Sequence, residues 1–387
     1  MKVASINTFI VSVPYKRREV SAVVARDGVT DVLVKITTDD GLVGWGEACS
    51  GADAVSVDAA LQAMKPFVLG RDPWNREAMQ AECFEHGLWA FRPMTGNFAW
   101  AGIDMALLDL CGKAAGQPLY RFFGGLRRSQ VSYFYYLARG SDDDLVQQCQ
   151  EGLAAGYKDF YLKVAVDWAQ DHHMVATVRR ALGAQPRLRL DANGSWSVPD
   201  ALHHLGVLAQ YDIDFIEAPV RDHPLRQMQE VRARLPMPVC CNEGLWTEAD
   251  AYARILGRVA DVYCFSPYWV GSLGAFHRLA HVAHMEGLQV VKHTHGELGL
   301  AAAACHHVLL TLPNIVTGHQ QTAQHMEFDI VRAPLPINTG PVWGVPEGTG
   351  LCVEVDEGAL ERAADNFRRQ GQYLPYQQEM LRKEESP

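Results

Sequence analysis

Three acidic residues, each closing a short apolar run, recur at a constant interval of 26 residues: Asp191, Glu217 and Glu243. Their runs read RLRLDAN, DFIEAP and PVCCNEG. One β-strand, one return helix and two loops take roughly that many residues in an alternating barrel. Each acid is therefore predicted at the C-terminal end of a successive parallel strand, the edge at which barrel enzymes place their catalytic groups.

From Val131 onward, the sequence alternates between strand patterns and helix patterns. Strands are predicted at 131–137, 158–163, 187–191, 213–217, 238–242, 261–265, 288–293 and 314–318. Helices are predicted at 143–155, 169–182, 198–209, 222–234, 247–257, 271–286 and 298–311. Alternation predicts a parallel sheet, and polar residues closing strand after strand favour a closed barrel over an open sheet with one switch point.

The first part of the chain has a different pattern. Residues 2–13 and 31–48 alternate like antiparallel strands, with a turn at Asp39-Asp40-Gly41. Helical patterns follow at 54–68, 75–84 and 98–115. An α+β unit is therefore predicted ahead of the barrel.

Composition excludes several classes of partner. A formal net charge of -10 with no basic block argues against nucleic acid and anionic membranes. No apolar run approaches the length that spans a bilayer. The nine cysteines form no CxxC pair, which predicts reduced thiols in the cytoplasm and no cysteine metal site. We also expect a homo-oligomer, from dimer to octamer.

The three acids predict a magnesium site. Carboxylates at one barrel mouth repel each other unless a hard cation neutralises them, and oxygen ligation suits Mg²⁺. Taken singly, each acid could equally be a turn residue or an ordinary strand-end carboxylate. Their common register favours Asp191, Glu217 and Glu243 as ligands of one Mg²⁺.

Two further strand ends carry candidate acid/base groups. Strand 2 ends YLKVAVD, so Tyr161 and Lys163 share one face, and a lysine beside a metal has a lowered pKa and can act as a base. The alternative is a surface lysine at a strand end. Strand 7 ends VVKHTHGELG, which places His293 across the barrel as a second acid/base, while Lys292 is predicted to face outward and His295 to bond a loop. Beyond strand 8, Glu327 could bond a substrate carboxylate or lie on a surface loop.

The functional positions in chain order are Lys163, Asp191-x-Asn193, Glu217-Ala-Pro, Glu243, His293 and Glu327. This ordered set, with the segment 102–125 (GIDMALLDLCGKAAGQPLYRFFGG), resembles the enolase superfamily, in its mandelate racemase-like (mandelate racemase/muconate lactonizing enzyme) family. The resemblance implies an α/β fold: a modified (β/α)₇β TIM-type barrel over 126–344 under an α+β capping domain formed from both chain termini, 1–125 and about 345–387. It also implies Mg²⁺-dependent removal of the proton α to a carboxylate through an enediolate.

The chain departs from that family at two positions. Relatives usually carry Lys-x-Lys at the end of strand 2, where this chain has Tyr161 before Lys163. Relatives with the strand-7 histidine usually support it with an aspartate that ends strand 6, where this chain has Ser266. A serine cannot stabilise an imidazolium as a carboxylate does.

The resemblance favours an enzyme that dehydrates a hydroxylated carboxylate, such as a sugar acid or a hydroxylated cyclic amino acid. Lys163 would take the α-proton, His293 would assist the leaving hydroxyl, and Glu327 would donate to the enediolate. The alternatives are a racemase or epimerase that uses both bases, a cycloisomerase, and a non-catalytic barrel that keeps its metal site.

Specificity is predicted to reside in a cap loop at 15–28 and in barrel-loop residues. Tyr161, Asn193, Ser266 and Trp246 are predicted to contact the substrate, with Trp269 as a further candidate. Tyr133 and Tyr135 could shape the pocket or pack in the core.

Overall fold

An antiparallel sheet opens the chain in the computed structural model, which describes residues 1–49, 53–87, 91 and 94–374. Its strands are β1 (Val3–Val20), β2 (Ala25–Thr38) and β3 (Val43–Ala48), hydrogen-bonded in that order. The predicted turn joins β2 to β3, where Gly41 at φ 85° donates its N–H to Thr38 O. The segment 15–28, predicted as a loop, instead forms the far end of the β1–β2 hairpin.

Helices α1 (Ala54–Val68), α2 (Arg76–His86) and α3 (Thr95–Ala114) follow the sheet. Helix α3 lies so close to β3 that a Cβ at Gly44 or Gly46 would collide with the backbone carbonyls of Ala106 or Gly102. The two glycines of VGWGEA therefore allow the helix to bury its face on the sheet. The C-terminal helix α12 (Glu357–Gln370) packs against β1, where Asn366 Nδ2 donates to Ser12 O at 3.3 Å.

Seven parallel strands form the barrel wall, in sequential order. They are β5 (Tyr135–Leu137), β6 (Asp159–Lys163), β7 (Arg187–Asp191), β8 (Ile213–Glu217), β9 (Val239–Cys241), β10 (Val262–Phe265) and β11 (Gln289–Lys292). The intervening helices are α4 (Asp142–Ala154), α5 (Trp168–Leu182), α6 (Val198–Leu208), α7 (Leu225–Arg234), α8 (Glu248–Leu256), the short α9 (Pro267–Val270), α10 (Leu273–Met285) and α11 (Gly299–Leu309). The predicted α/β barrel with an α+β cap is confirmed.

Polar caps start several of these helices. Ser141, Asp167, Ser197, Thr247 and Ser272 each accept an N–H from the third residue of the helix that follows. Each bond satisfies one of the donors that the first helical turn leaves unpaired. The helix starts are thereby fixed one loop beyond the strand ends.

The eighth strand predicted at 314–318 is not a continuous strand. Ile315 forms a single bridge to Val290 of β11, and His319 forms one to Tyr133 just before β5. These two bridges close the barrel. Arg189 of β7 reaches across to the same segment, donating from Nη2 to Thr317 O at 2.8 Å and Nη1 to Gly318 O at 2.5 Å.

The strand predicted at 131–137 divides into two. Residues Gln130–Ser132 form β4, which pairs antiparallel with β12 (Val342–Gly344), and Tyr135–Leu137 form β5. Phe134 N donates to His319 O, so the break lies where the barrel closes. Along the described part of the chain, every helix is too short or too polar to cross a membrane.

Glu47 of β3 joins the cap to the barrel. Its two carboxylate oxygens accept the N–H groups of Leu298 at 2.7 Å and Ala301 at 3.0 Å, at the start of α11. A carboxylate at a helix N-terminus satisfies orphan donors and complements the helix dipole. This contact holds the antiparallel sheet over the barrel mouth.

Candidate active site

Three predicted site residues lie level at the ends of neighbouring strands. Lys163 ends β6 and pairs in register with Asp191 at the end of β7, and Asp191 pairs with Glu217 at the end of β8. Successive parallel strands place these Cα atoms side by side, with their side chains on one face. Glu243 follows β9 by two residues, at the same mouth.

Each candidate ligand is held by a polar neighbour. Asp191 Oδ2 accepts from Lys163 Nζ and Tyr161 Oη, both at 2.5 Å. Asn193 donates its backbone N–H to Asp191 Oδ1 at 2.7 Å and its Nδ2 to Glu243 Oε1 at 2.9 Å. Tyr161 and Asn193, predicted to contact substrate, therefore position the acids.

Gln320 is a site residue that the sequence did not reveal. It follows the closing segment of the barrel, and its Nε2 donates to Glu217 Oε2 at 2.6 Å. A glutamine in irregular backbone carries no periodic signal. Only the fold brings it within reach of an acid more than a hundred residues earlier in the chain.

The donor set fits a hard divalent cation. Glu217 Oε1 and Glu243 Oε2 are buried and have no hydrogen-bond partner among the described residues. Burial and the neighbouring Asp191 carboxylate raise the pKa of Glu217 well above its ordinary value and that of Glu243 to about 7. Burial and mutual repulsion destabilise the charged forms of these carboxylates, and a bound cation offsets both effects. Oxygen-only ligation suits Mg²⁺.

The three acids have not converged on a single point. Among the described residues, Glu217 instead forms a group with Cys240 and Cys264, in which the carboxylate oxygen and the two sulfur atoms all lie within 4.8 Å of one another. The bonds from Lys163 and Asn193 each occupy one oxygen of Asp191 and of Glu243. Burial raises the pKa of the Cys240 thiol to about 11, which keeps it protonated beneath the acids, as expected for a packing cysteine.

The pKa of Lys163 differs from the sequence prediction. Burial lowers it, but the carboxylates of Asp191, Glu217 and Glu19 together raise it above its ordinary value. The prediction of a lowered pKa assumed a cation beside the lysine. Asp191 accepts from Lys163 Nζ, and this bond favours the ammonium form of the lysine.

His293 lies at the end of β11, next to the end of β10. The backbone N–H of His293 donates to Phe265 O at 2.8 Å, and its ring stacks on Trp269 at a centroid distance of 4.5 Å. Its Nδ1 is buried without a hydrogen-bond partner among the described residues. Burial, His295 and Lys163 lower the pKa of His293 well below that of a free imidazole, the direction that the missing aspartate predicted.

Ser266 directly follows β10 and is fully buried. Its Oγ accepts the N–H of Tyr268 at 3.2 Å and so caps α9. Trp246, also predicted to contact substrate, packs edge-on against Trp269 at 4.5 Å. Asn97 of α3 donates to the backbone carbonyls of both tryptophans, which fixes the ring that supports His293.

Lys292 was predicted to face outward, yet it is 1% exposed, because it forms an ion pair with Glu297 and donates to Gln320 O at 3.1 Å. Glu327 is exposed and its N–H donates to Pro14 O, which matches the surface position that the sequence left open. The chain has turned back onto β1 before Glu327, so its side chain lies away from the acids.

Tyr133 and Tyr135 of strand 1 pack in the core, one of the two alternatives that the sequence left open. Tyr133 Oη bonds His306 Nδ1 in the core, and Tyr135 Oη donates to Glu151 on α4. Phe134 and Tyr136 face the site instead, and both pack on the ring of Tyr161. The break before β5 reverses the alternation that the sequence suggested.

The β1–β2 hairpin supplies three residues to the mouth. Glu19 accepts from Arg26 Nε at 2.7 Å and from Tyr136 Oη at 3.3 Å. Arg26 Nη2 donates to His295 O at 2.7 Å, and Tyr15 packs near His325. The predicted cap segment therefore reaches the site, although as paired strands.

Two family models match this chain. The model described as mandelate racemase / muconate lactonizing enzyme, N-terminal domain, matches residues 5–124. The model described as enolase C-terminal domain-like matches residues 144–359. The second match alone covers more than half of the chain.

Relatives and solved structures match over nearly the whole length. A D-galactarolactone cycloisomerase of Agrobacterium fabrum is 28% identical over 380 residues, covering 93% of this chain and 98% of the relative. A D-galactonate dehydratase of Xanthomonas oryzae is 28% identical, covering 87% and 91%. The crystal structure of an enolase described as a putative sugar isomerase, from Streptomyces coelicolor, is 29% identical with a TM-score of 0.87, covering 96% and 99%. Racemases and epimerases also match at 24% to 28% identity.

Proposed function

This chain belongs to the mandelate racemase/muconate lactonizing enzyme family of the enolase superfamily, and from that premise we propose that it removes the proton α to a carboxylate with Mg²⁺ and dehydrates a hydroxylated carboxylate. Relatives of the family include dehydratases, cycloisomerases, racemases and epimerases, so the chain is a lyase or an isomerase. The observation that supports this chemistry is that Lys163, Asp191 and Glu217 pair in register at the ends of three adjacent strands.

Asp191, Glu217 and Glu243 would hold the cation. Mg²⁺ supplies positive charge that offsets these acids, lowers the pKa of the adjacent Lys163 and draws charge from the substrate carboxylate as its α-proton leaves. Tyr161 and Asn193 keep the acids oriented, and Gln320 does the same for Glu217. Lys163 Nζ takes the α-proton, which gives the enediolate form of the substrate.

His293 is the proposed acid for the departing β-hydroxyl. It lies two strands beyond β9, on the far side of the mouth from Lys163, with the ring of Trp269 beneath it. A histidine of lowered pKa gives up its proton readily once charged, which suits protonation of a leaving hydroxide. Two relatives named for a galactarolactone and a galactonate support a sugar acid as substrate.

A racemase or epimerase is the second candidate, and the two groups on opposite sides of the mouth favour it over a cycloisomerase. In that reaction Lys163 and His293 alternate as bases. The missing aspartate at Ser266 weakens His293 as a base and so counts against it.

The proposal also covers the substrate class, the oligomeric state and the domain bounds. A small carboxylate is the substrate, and the chain forms a cytoplasmic homo-oligomer of two to eight copies. The capping domain comprises 1–125 and about 345–387, and the barrel comprises 126–344.

Ser266→Asp is expected to raise the pKa of His293. Ser266 directly follows Phe265, whose carbonyl accepts the backbone N–H of His293, so the new carboxylate is introduced on the strand next to the histidine. An aspartate can also keep the N-cap bond from Tyr268. As the dehydration acid, His293 works when protonated, so the rate falls as pH rises through its pKa. The variant moves that falling limb to higher pH and increases turnover near neutrality.

The pH profile of kcat distinguishes the two candidates. As a racemase, His293 is the base, and works when neutral, for the enantiomer whose α-proton faces it; with that enantiomer the rate rises through its pKa and the variant loses activity near neutrality. Ser266→Asn is the matched control because it can cap α9 without adding charge. If kcat rises with pH through the pKa of His293, and Ser266→Asp moves this rise to higher pH, dehydration is rejected in favour of racemisation.

A further inference from the structure

Two cysteines lie beside Glu217 inside the barrel. Glu217 ends β8, Cys240 lies on β9 and Cys264 lies on β10, so the three residues come from neighbouring strands. Glu217 pairs in register with Cys240, and Cys240 pairs with Val262, two residues before Cys264. Side chains two residues apart on a strand share a face. The three side chains therefore meet in one space, where a carboxylate oxygen and both sulfur atoms lie within 4.8 Å of one another.

This group is buried and contains an oxygen without a partner. Glu217, Cys240 and Cys264 are all 0% exposed, and apolar side chains of β8, β10 and β11 pack around the two cysteines. Glu217 Oε1 has no hydrogen-bond partner among the described residues. Buried charges in proteins are paired or coordinate metals. The surroundings of Glu217 therefore favour a cation, and two of the atoms nearest to it are sulfur.

Gln320 holds two members of the group together. Its Nε2 donates to Glu217 Oε2 at 2.6 Å and to Cys264 Sγ at 3.2 Å. Its side-chain oxygen accepts the N–H of Thr294 at 3.2 Å, which fixes the amide with its donor toward the group. A donor to sulfur favours the thiolate form that binds metals. Gln320 thus supports Cys264 as a ligand in the same way as it supports Glu217.

The strand register separates a metal site from a disulfide. Because Cys240 pairs with Val262, Cys264 is its diagonal neighbour on β10. A strand spacing of about 4.8 Å and a rise of about 3.3 Å per residue put the Cα atoms of diagonal neighbours about 8 Å apart. A disulfide usually joins Cα atoms about 4.4 to 6.8 Å apart. The two sulfur atoms are therefore placed for an ion between them rather than for a bond.

We propose that Glu217, Cys240 and Cys264 bind a thiophilic divalent cation of the Zn²⁺ type, and that this ion inhibits the enzyme by taking Glu217 from Mg²⁺. Cysteine sulfur selects Zn²⁺ over Mg²⁺, whereas a carboxylate accepts either. Ligand atoms around a tetrahedral Zn²⁺ lie about 3.6 to 3.8 Å apart, so the group closes by roughly 1 Å at most. Both thiols lose their protons to solvent as the ion binds. Binding is independent of the proposed reaction, whereas inhibition rests on Glu217 as a ligand of Mg²⁺.

This proposal reverses the sequence prediction of no cysteine metal site. That prediction rested on the absence of a CxxC pair, the spacing at which one short segment supplies two ligands. Here each ligand comes from a different strand, and only the closed barrel brings the three together. The local sequence therefore does not indicate the site.

The first test is titration of the reduced wild-type chain with Co²⁺, a spectroscopic substitute for Zn²⁺. A thiolate bound to Co²⁺ gives a near-ultraviolet charge-transfer band that oxygen ligands do not give. We expect this band to saturate at one Co²⁺ per chain and to disappear when Zn²⁺ is added. A Co²⁺ complex without the band would overturn the proposal, because the ion would then have oxygen ligands alone.

The second test assigns the sulfur ligands. Cys240→Ala and Cys264→Ala should each weaken the charge-transfer band, and the double variant should lose it. Cys241→Ala is the matched control, since Cys241 is the next residue on β9, faces the opposite side of the strand and packs in the main core. An undiminished band in the double variant would place the sulfur ligands elsewhere and overturn the site.

The third test concerns inhibition. Solvent exchange of the α-hydrogen is measured in D₂O with Mg²⁺ and increasing Zn²⁺, relative to the rate of each chain without Zn²⁺. Cys240→Ala should raise the Zn²⁺ concentration that halves exchange by more than about 10-fold, because the loss of a ligand weakens a metal at least as much as the loss of a supporting residue. Equal inhibition in Cys240→Ala and Cys241→Ala would overturn the inhibitory role. If no chain exchanges the α-hydrogen, the proposed function fails, and the Co²⁺ band still decides the sulfur site.

Discussion

Lys163→Ala is expected to lower solvent exchange of the substrate α-hydrogen by roughly a hundred- to ten-thousand-fold, the usual contribution of a positioned general base. Lys163 Nζ is the amine that the strand register places beside Asp191 and Glu217. Mass spectrometry in D₂O reports this exchange before the product is known. Lys158→Ala is the matched control, because Lys158 lies just before the same strand and is exposed at the opposite end.

His293→Asn completes this test. Under dehydration the variant should keep exchange at the Lys163 face and lose product formation, because the leaving hydroxyl has no acid. If His293→Asn lost exchange while Lys163→Ala retained it, the two roles would be reversed. Equal activity in Lys163→Ala and Lys158→Ala would remove Lys163 from the chemistry.

Glu217→Gln is expected to weaken Mg²⁺ binding by more than about 100-fold, since even residues that only support a metal ligand contribute roughly 10- to 100-fold. The change removes one of three negative charges but keeps a side chain that can still accept from Gln320 Nε2. Little loss of thermal stability is therefore expected. Isothermal titration calorimetry with Mg²⁺ measures the affinity.

The control for the metal site is Glu230→Gln, at an exposed carboxylate on α7, the helix that follows β8. It makes the same charge change on the same strand–helix unit. Unchanged Mg²⁺ affinity in Glu217→Gln, or an equal loss in both variants, would show that the three acids are not the ligands.

The regular part of the site could be predicted from the sequence. Asp191, Glu217 and Lys163 end strands whose apolar runs and helix caps are local signals, so their common level follows from counting residues. The irregular part could not be predicted. Gln320 and His325 lie in segments without periodicity. No local pattern could decide whether Glu327 contacts substrate or lies on the surface, because that depends on the chain turning back to β1 after His319.

The contacts of the β1–β2 hairpin with the barrel mouth could not be predicted either, for a different reason. Glu19 and Arg26 read as a charged loop because their partners are contributed by distant parts of the chain. Residues at the far end of β1 and β2 form strands because the two segments pair with each other. The local sequence does not indicate that this pairing continues over the barrel mouth. Long-range contacts of this kind determine specificity in the present account, while local patterns determine the chemistry.

The central claim is that turnover proceeds by metal-dependent loss of the α-hydrogen. The most direct measurement follows a hydroxylated carboxylate, such as a sugar acid, in D₂O with the wild-type chain, once with Mg²⁺ and once after chelation of divalent ions. We expect deuterium at the α-carbon of recovered substrate or product with Mg²⁺, and none after chelation. Conversion that keeps the original α-hydrogen, or exchange at the same rate without a divalent ion, would contradict it.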